Sequence, residues 1–572
     1  MGYEILTLRD GEWSIEALAS NRQEAESVGK QVLSRPDVTG VKVVRETGRT
    51  PDQVRDEDVI FVRQKGSGES DRIFVNHIDE APGDCDSPDD LIAINGRTTV
   101  NRLFRSYLDK NNITASEVMH SYKEMKRVMD ADALVPSAIS KVAQLQSVGS
   151  DRSVSERQDE LFDFVQKITE RARIAETKNL PRIREKGFDA AFKNLCDKAE
   201  EDEFDYLLKV TITNEMLDNR NWWGKLTQVA GWAEPAEDKR AIGALDGFMA
   251  DTLANNSVLQ DLLGAQEDLG TAIISMIGLV EGSLKLEDAA TLPEDSPERT
   301  AAQLNSMMGA GKLPDSQDML MDRVRRQLQG SGKLTKGQKD KEGRRFKEIV
   351  DRLVSSNGFV GGPHMAEAIT ERQSRILNKG GLVGMKDATG RVLSSLREPA
   401  RKAAYLLSLH ESKIGKGDLG NEINDQLNSL FMRADSVHRL VKDNLPPNRK
   451  MEQITSAFYC IQNSALPESR KLQLTERLDE LLASYIVDGE ILQKIDDPER
   501  PLHIRAFMLV DMCRPEMLPR GKASDLARQI IVDSLKQPNF ETELVSQIEN
   551  DEEKTEVLRR FHEQLSRCGF LG

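Results

Sequence analysis

At 572 residues the chain is too long for a single hydrophobic core, and its length points to roughly three or four domains. Apolar residues at 38% against 30% charged are enough to pack cores, which excludes wholesale disorder. A net charge of −16 argues against nonspecific binding of nucleic acid or an anionic membrane by the whole molecule.

Only 5% of residues are aromatic, set against abundant Leu, Ala, Glu, Lys and Arg, so helix is favoured over sheet. The expected fold is mainly α, a helical bundle or short α-solenoid, with a small amino-terminal α+β domain. That domain, 1–78, reads β-β-α-β. Tyr3–Leu8 and Glu12–Leu18 flank the hairpin signal Asp10-Gly11; a helix over Ser20–Leu33 and a strand at Val41–Val44 follow. Asp58–Val62 and Arg72–Val75 offer two further strands.

Residues 46–90 hold 13 acidic and 5 basic side chains, and with Pro and Gly they predict an acidic, solvated connector over 79–97. A helical domain is expected over 98–286, with capping boxes at Thr114–Glu117 and Ser153–Glu156. Prolines and glycines over 287–345 predict a flexible, partly basic linker, most mobile at 329–343. A carboxyl-terminal helical domain occupies 346–572. There Ile423, Leu427, Leu430, Ala434, Val437 and Val441 predict one apolar stripe, and Leu474, Leu478, Leu481, Leu482, Tyr485 and Ile486 another.

The motifs do not name a reaction. The five cysteines show no CxxC spacing and the seven histidines no short ligand spacing, so neither metal nor cofactor is expected. Sparse, odd cysteines without a leader fit a reducing cytoplasm, and the longest apolar run, Ala272–Val280, is too short for a membrane. Gly415, Gly417 and Gly420 match GxGxxG, but the preceding Arg401–His410 is helical in composition, so the strand that a dinucleotide turn requires is missing. No GxxxxGK[ST] loop exists.

Two features suggest partners. Trp222, Trp223 and Trp232 fall within eleven residues, and neighbours on a helix point about 100° apart, so Trp222 and Trp223 cannot share one core face. Arg323–Lys347 carries ten Lys/Arg against Asp340 and Glu342. The candidate partner-binding residues are Trp222, Trp223, Arg323, Arg325, Arg326, Lys333, Lys336, Lys339, Lys341, Arg344 and Arg345. With no catalytic residue assigned, the leading expectation is a non-catalytic regulatory or scaffolding protein acting through protein–protein contact, self-association included. The alternatives are an enzyme or small-ligand sensor with a pocket near His410, Asp418 and Arg401, or a nucleic-acid-associated regulator using residues 323–347.

Overall fold

Alternating apolar residues build the amino-terminal sheet in a computed structural model of the chain. The structure describes residues 3–9, 12–19, 25, 28–29, 32, 38, 40–45, 59–64, 75–78, 80–81, 85–131, 133–148, 152–286, 291–293, 296–336, 339–355, 358–441 and 444–570. Strands β1 (Tyr3–Arg9), β2 (Glu12–Ala19), β3 (Gly40–Arg45) and β4 (Val59–Gln64) form one antiparallel sheet in the order β2-β1-β3-β4. Arg9 pairs with Glu12, as a two-residue hairpin requires, although Asp10-Gly11 lies outside the described residues. Tyr3, Ile5, Val41 and Val43 share a core with Ala25 and Val32 of the intervening segment, which gives the α+β layering. Of the further strand expected at Arg72–Val75 only Val75 is described, and it is not in a strand.

The chain divides into two compact units, Met1–Arg345 and Phe346–Gly572. Outside the small sheet the first is helical. The helices used below are α1 (Pro88–Ile92), α2 (Ile94–Leu103), α3 (Ala115–Met119), α4 (Val154–Glu176), α5 (Glu201–Met216), α6 (Trp222–Ala233), α7 (Lys239–Leu253), α8 (Leu269–Val280), α9 (Pro297–Gly309) and α10 (Pro314–Gln329). Both expected capping boxes form: Thr114 with Glu117 starts α3, and Ser153 with Glu156 starts α4.

Two expected connectors are corrected. The described part of the acidic segment 79–97 is ordered structure. Ser87 opens α1 in a capping box with Asp90, and Asp86 and Asp89 pair with Arg152 and Arg171 at 2.9 and 2.7 Å. The 287–345 linker contains two packed helices. Pro297 and Pro314 lie in the first turns of α9 and α10, where a missing N–H costs nothing, so they start helices instead of interrupting them. Met319, Leu320, Val324 and Leu328 bury one face of α10.

Helix α11 (Lys339–Leu353) carries the chain from the first unit into the second and leads into a hairpin of β5 (Val354–Ser355) and β6 (Gly358–Phe359). The helices used below are α12 (Gly362–Ile376), α13 (Pro399–Glu411), α14 (Pro447–Gln462), α15 (Glu468–Asp488), α16 (Leu502–Asp511), α17 (Lys522–Leu535) and α18 (Asp551–Arg567). The Leu474–Ile486 stripe is buried as expected. The 423–441 stripe is not one helix. A helix over Gly420–Leu427 passes into a π-helical turn at Asn428–Met432. The wider π turn shifts the register, so Phe431 is fully buried and Leu430 only half-buried.

Candidate functional site

Two helical stripes face each other in the carboxyl-terminal unit. On α13, Ala404, Leu407, Ser408 and Glu411 recur at intervals of three and four residues. On α14, Glu452, Ser456 and Tyr459 do the same, continued by Asn463 at its C-cap. Met451, Ile454, Phe458 and Ile461 turn the adjoining face of α14 into the core, so the second stripe is left to line a cleft of about 710 Å³. Gly358 and Phe359 of β6 form another wall, and Pro515 and Glu516 close the rim.

The walls are tied together by hydrogen bonds. Thr455 donates its hydroxyl to the Met517 carbonyl at 2.7 Å, and Tyr459 donates to Pro515 at 3.2 Å. These two bonds fix the rim segment to α14. On the other side, the Arg401 guanidinium donates to the Val354 carbonyl at 2.6 Å and to Asp351, which anchors β5 on α13. The Phe359 ring lies 6.3 Å from Tyr405, a fully buried tyrosine whose hydroxyl is 2.7 Å from that of Thr370 on α12.

The lining is acidic. It contains Glu411, Glu452 and Glu516 and, among the described residues, neither lysine nor arginine. Glu411 accepts from the Ala465 amide at 3.2 Å. Glu452 pairs with Arg449 at 2.8 Å and Glu516 with Arg567 at 3.1 Å. Both arginines are well exposed, so these pairs contribute little. A backbone hydrogen bond, opposed by slight burial and reinforced by Arg567, holds the Glu516 carboxyl below its usual range. Burial pushes the Cys460 thiol in the same cleft up to about 11. It is therefore protonated at neutral pH and a poor nucleophile.

Of the residues expected around a pocket, Arg401 braces this cleft's wall without lining it. His410 and Asp418 do not line it. The GxGxxG glycines form a helix–helix turn. Ser412 caps Lys413–Lys416, and a side chain at Gly415 would strike the Leu409 carbonyl. The helical composition of Arg401–His410 was legible, but nothing local signals that α13 and α14 face one another across a cleft.

The expected partner-binding residues are dispersed. Trp222 is buried under the Arg105 guanidinium, 5.3 Å from its ring, and belongs to the core; Trp223 is half-buried. Arg323 donates to the Ala254 carbonyl and Asn256. Arg325 pairs with Asp322 at 2.6 Å and with Glu80, while Arg326 pairs with Asp322 at 2.9 Å. Asp322 is held below its usual pKa: burial would raise it, but the two arginines together outweigh that. Arg345 lies 3.9 Å from Asp268. Lys333, Lys336, Lys341 and Arg344 are exposed, and the Lys339 side chain lies outside the described residues. The basic segment is thus partly consumed within its own unit.

A buried polar network in the amino-terminal unit was not anticipated. Asp251 on α7 accepts from Arg97 at 3.2 Å, Asn101 at 2.9 Å, and the Ser116 amide and hydroxyl at 2.8 and 2.7 Å. Asp246, on the same helix, accepts from the Asp315 and Ser316 amides at 2.7 and 3.1 Å. Each carboxylate therefore caps a helix start remote in sequence, α3 and α10 respectively. Lys225 and Glu117 pair nearby with no exposed surface, joined at 2.6 Å through one carboxylate oxygen. Burial pushes Glu117 up and Lys225 down, each toward its neutral form, and their mutual attraction opposes both shifts. Both oxygens of each of these carboxylates are bonded, so their role is to hold helices rather than to react.

Among the described residues no group of three or more His, Cys, Asp or Glu is placed to hold a metal ion, and no helix is long and apolar enough to cross a membrane. No family model, curated protein or solved structure matches the chain.

Proposed function

We propose that this chain is a non-catalytic regulatory or scaffolding protein that binds a partner protein, with the α13–α14 cleft as its recognition site. The observation that carries this reading is the cleft itself. Its 710 Å³ volume sits between packed helices whose rim and hairpin are already fixed by hydrogen bonds. A pre-formed site spares a partner part of the ordering cost of binding. The protonated Cys460 supports binding over nucleophilic chemistry there. Three carboxylates disfavour a phosphate-bearing nucleic acid in the same cleft. A small-ligand sensor is the second reading, since the volume also falls within the range of small-molecule pockets, roughly 300–1,000 Å³.

Cross-linked capture from the native cell extract, with and without nuclease, tests the proposal. Ser456 and Ser408 line opposite walls and are only half-buried, so Ser456→Trp or Ser408→Trp would fill the cleft without opening the core. The expected result is a protein partner that survives nuclease, and is lost from both variants at an unchanged thermal midpoint. An identical partner set on variants and parent would remove the cleft from the reading. Loss of all capture after nuclease would remove the protein partner.

A further inference from the structure

Resting on that reading of the cleft, we infer that its occupant is an extended basic peptide segment of the partner, with a lysine or arginine side chain held among Glu411, Glu452 and Glu516. Charge is the first argument. The three carboxylates come from three separate elements, α13, α14 and the rim segment after α16, and converge on one cavity lined by no cation among the described residues. A cation entering it meets negative potential from three sides in a site narrower than bulk solvent, where attraction is screened less. Phe359 and Tyr459 line the same space and offer aromatic faces to an ammonium or guanidinium group. Arg449 and Arg567, which now meet Glu452 and Glu516, are 66% and 60% exposed, so an incoming cation displaces weak surface pairs. Arg520 lies close enough to influence the Tyr459 hydroxyl but is outside the lining.

Shape is the second argument, and it selects an extended chain. The β5–β6 sheet has only two strands, so each has one sheet neighbour and one outer edge. At β5 the Val354 carbonyl is taken by Arg401 of α13. β6 carries Gly358 and Phe359 into the cleft wall, and no third strand covers its outer edge among the described residues. An extended peptide can add to that edge through main-chain hydrogen bonds while alternate side chains enter the cavity. A free polyamine would use the charge but leave the strand edge unused.

Fluorescence anisotropy on the full chain tests the inference, with labelled hexa-arginine and hexa-glutamate peptides as probes and unlabelled spermine as competitor. Hexa-arginine is expected to bind and hexa-glutamate not to, with affinity falling between about 0.1 and about 0.5 M salt, a change that shrinks the screening length about twofold. The Glu411→Gln/Glu452→Gln/Glu516→Gln variant should weaken binding at least about tenfold, a change of about 1.4 kcal/mol. Ser456→Trp should abolish it. Should the triple variant fail to fold, Glu452→Lys alone carries the same test, because that side chain is part-exposed on a helix. Equal hexa-arginine binding by the glutamine variant would overturn the inference, assigning attraction to the −16 charge of the whole chain. Spermine competing as well as the peptide, mole for mole, would overturn the peptide occupant. If hexa-arginine fails to bind while Ser456→Trp still loses the captured partner, the basic chemistry is wrong and the partner site stands.

Discussion

In the amino-terminal unit, Asp246 and Asp251 are buried among helices and cap the starts of others, while buried Glu117 caps its own helix and pairs with buried Lys225. In the carboxyl-terminal unit, Glu411, Glu452 and Glu516 border open space. The carboxyl-terminal unit does contain one buried carboxylate cap. Asp479 on α15 accepts from the Lys522 and Ala523 amides at 2.7 and 3.0 Å and so begins α17. Most of its interior is nevertheless apolar, from Phe431 to the α15 stripe. The same residue type does two jobs. A buried carboxylate with both oxygens bonded ties distant segments into one arrangement. A carboxylate at a cavity wall keeps capacity for an outside donor. Accordingly, substitutions in the first group should be read in stability and those in the second in binding.

The sharpest break in the comparison is Lys225→Met. It leaves Glu117 buried without its cation, and losing one partner of a buried pair costs about 3–5 kcal/mol. Chemical denaturation should show that loss, and Glu117→Gln in the same chain should recover most of it, because Gln can still accept from the Thr114 amide now bonded at 2.7 Å. A single variant as stable as the parent would mean that the pair is solvated. On the apolar side of the comparison, Phe431→Ala should cost about 3–5 kcal/mol by opening a cavity. Leu430→Ala should cost visibly less, since its side chain is only partly buried. Equal losses would restore the continuous stripe.

That pair of residues shows where sequence reading stops. Intervals of four and three continue unbroken from Ile423 to Val441, and nothing in them announces a π turn. The capping boxes at Thr114 and Ser153 were legible because cap and partner stand three residues apart. The caps supplied by Asp246 and Asp251 were not, since their amides lie 70 and 135 residues away along the chain. Pro297 and Pro314 misled for a different reason. Proline ends a helix from the inside and begins one at its first turn, and only packing tells which. The cleft was not legible: only the helical composition of Arg401–His410 was, and the opposition of α13 and α14 is a product of tertiary structure.

Acid sharpens the comparison through His120, which ends α3 fully buried. Burial first, and then the Lys209 charge, push its pKa down to about 3 from the ordinary 6.5. The unfolded chain therefore binds a proton in the window between those values when the folded chain does not, and stability falls as pH drops below 6.5. At pH 5 the loss is about 2 kcal/mol, the 1.5 units below 6.5 taken at 1.36 kcal/mol each. Asp246 acts in the opposite sense. Burial raises it from 3.8 to about 6, so it favours folding as pH falls through 6. The parent's thermal midpoint alone mixes the two, and the comparison with His120→Asn separates them. Asn can keep the donor that now meets the Ser116 carbonyl at 2.7 Å. The variant should lose the His120 part of the slope between pH 7 and 5. Parallel slopes would show that His120 titrates normally.

The smallest expected effect lies in the segment first read as mobile. Four glycines and a run of lysines between Gly330 and Gly343 suggested a loop with nothing to bury. Leu334 is instead fully buried, its carbonyl accepting from Gly270 at 2.8 Å at the start of α8. The Leu334 and Thr335 amides both donate to the Glu342 carboxylate, at 3.0 and 3.1 Å. One glutamate thus holds the loop by two charge-assisted hydrogen bonds, each worth about 1.5–3 kcal/mol at most, and less where partly exposed. Glu342→Ala should release the loop with a global loss of only about 1 kcal/mol, because local opening need not unfold the helices on either side. A nonspecific protease under native conditions should cut the variant near 333–336 well before the parent. Replacing Lys333, Lys336 and Lys341 with Gln should leave the cleavage rate unchanged, since those side chains are exposed. If parent and Glu342→Ala are cut at the same rate, the carboxylate does not hold this loop, and the burial of Leu334 alone must account for its order.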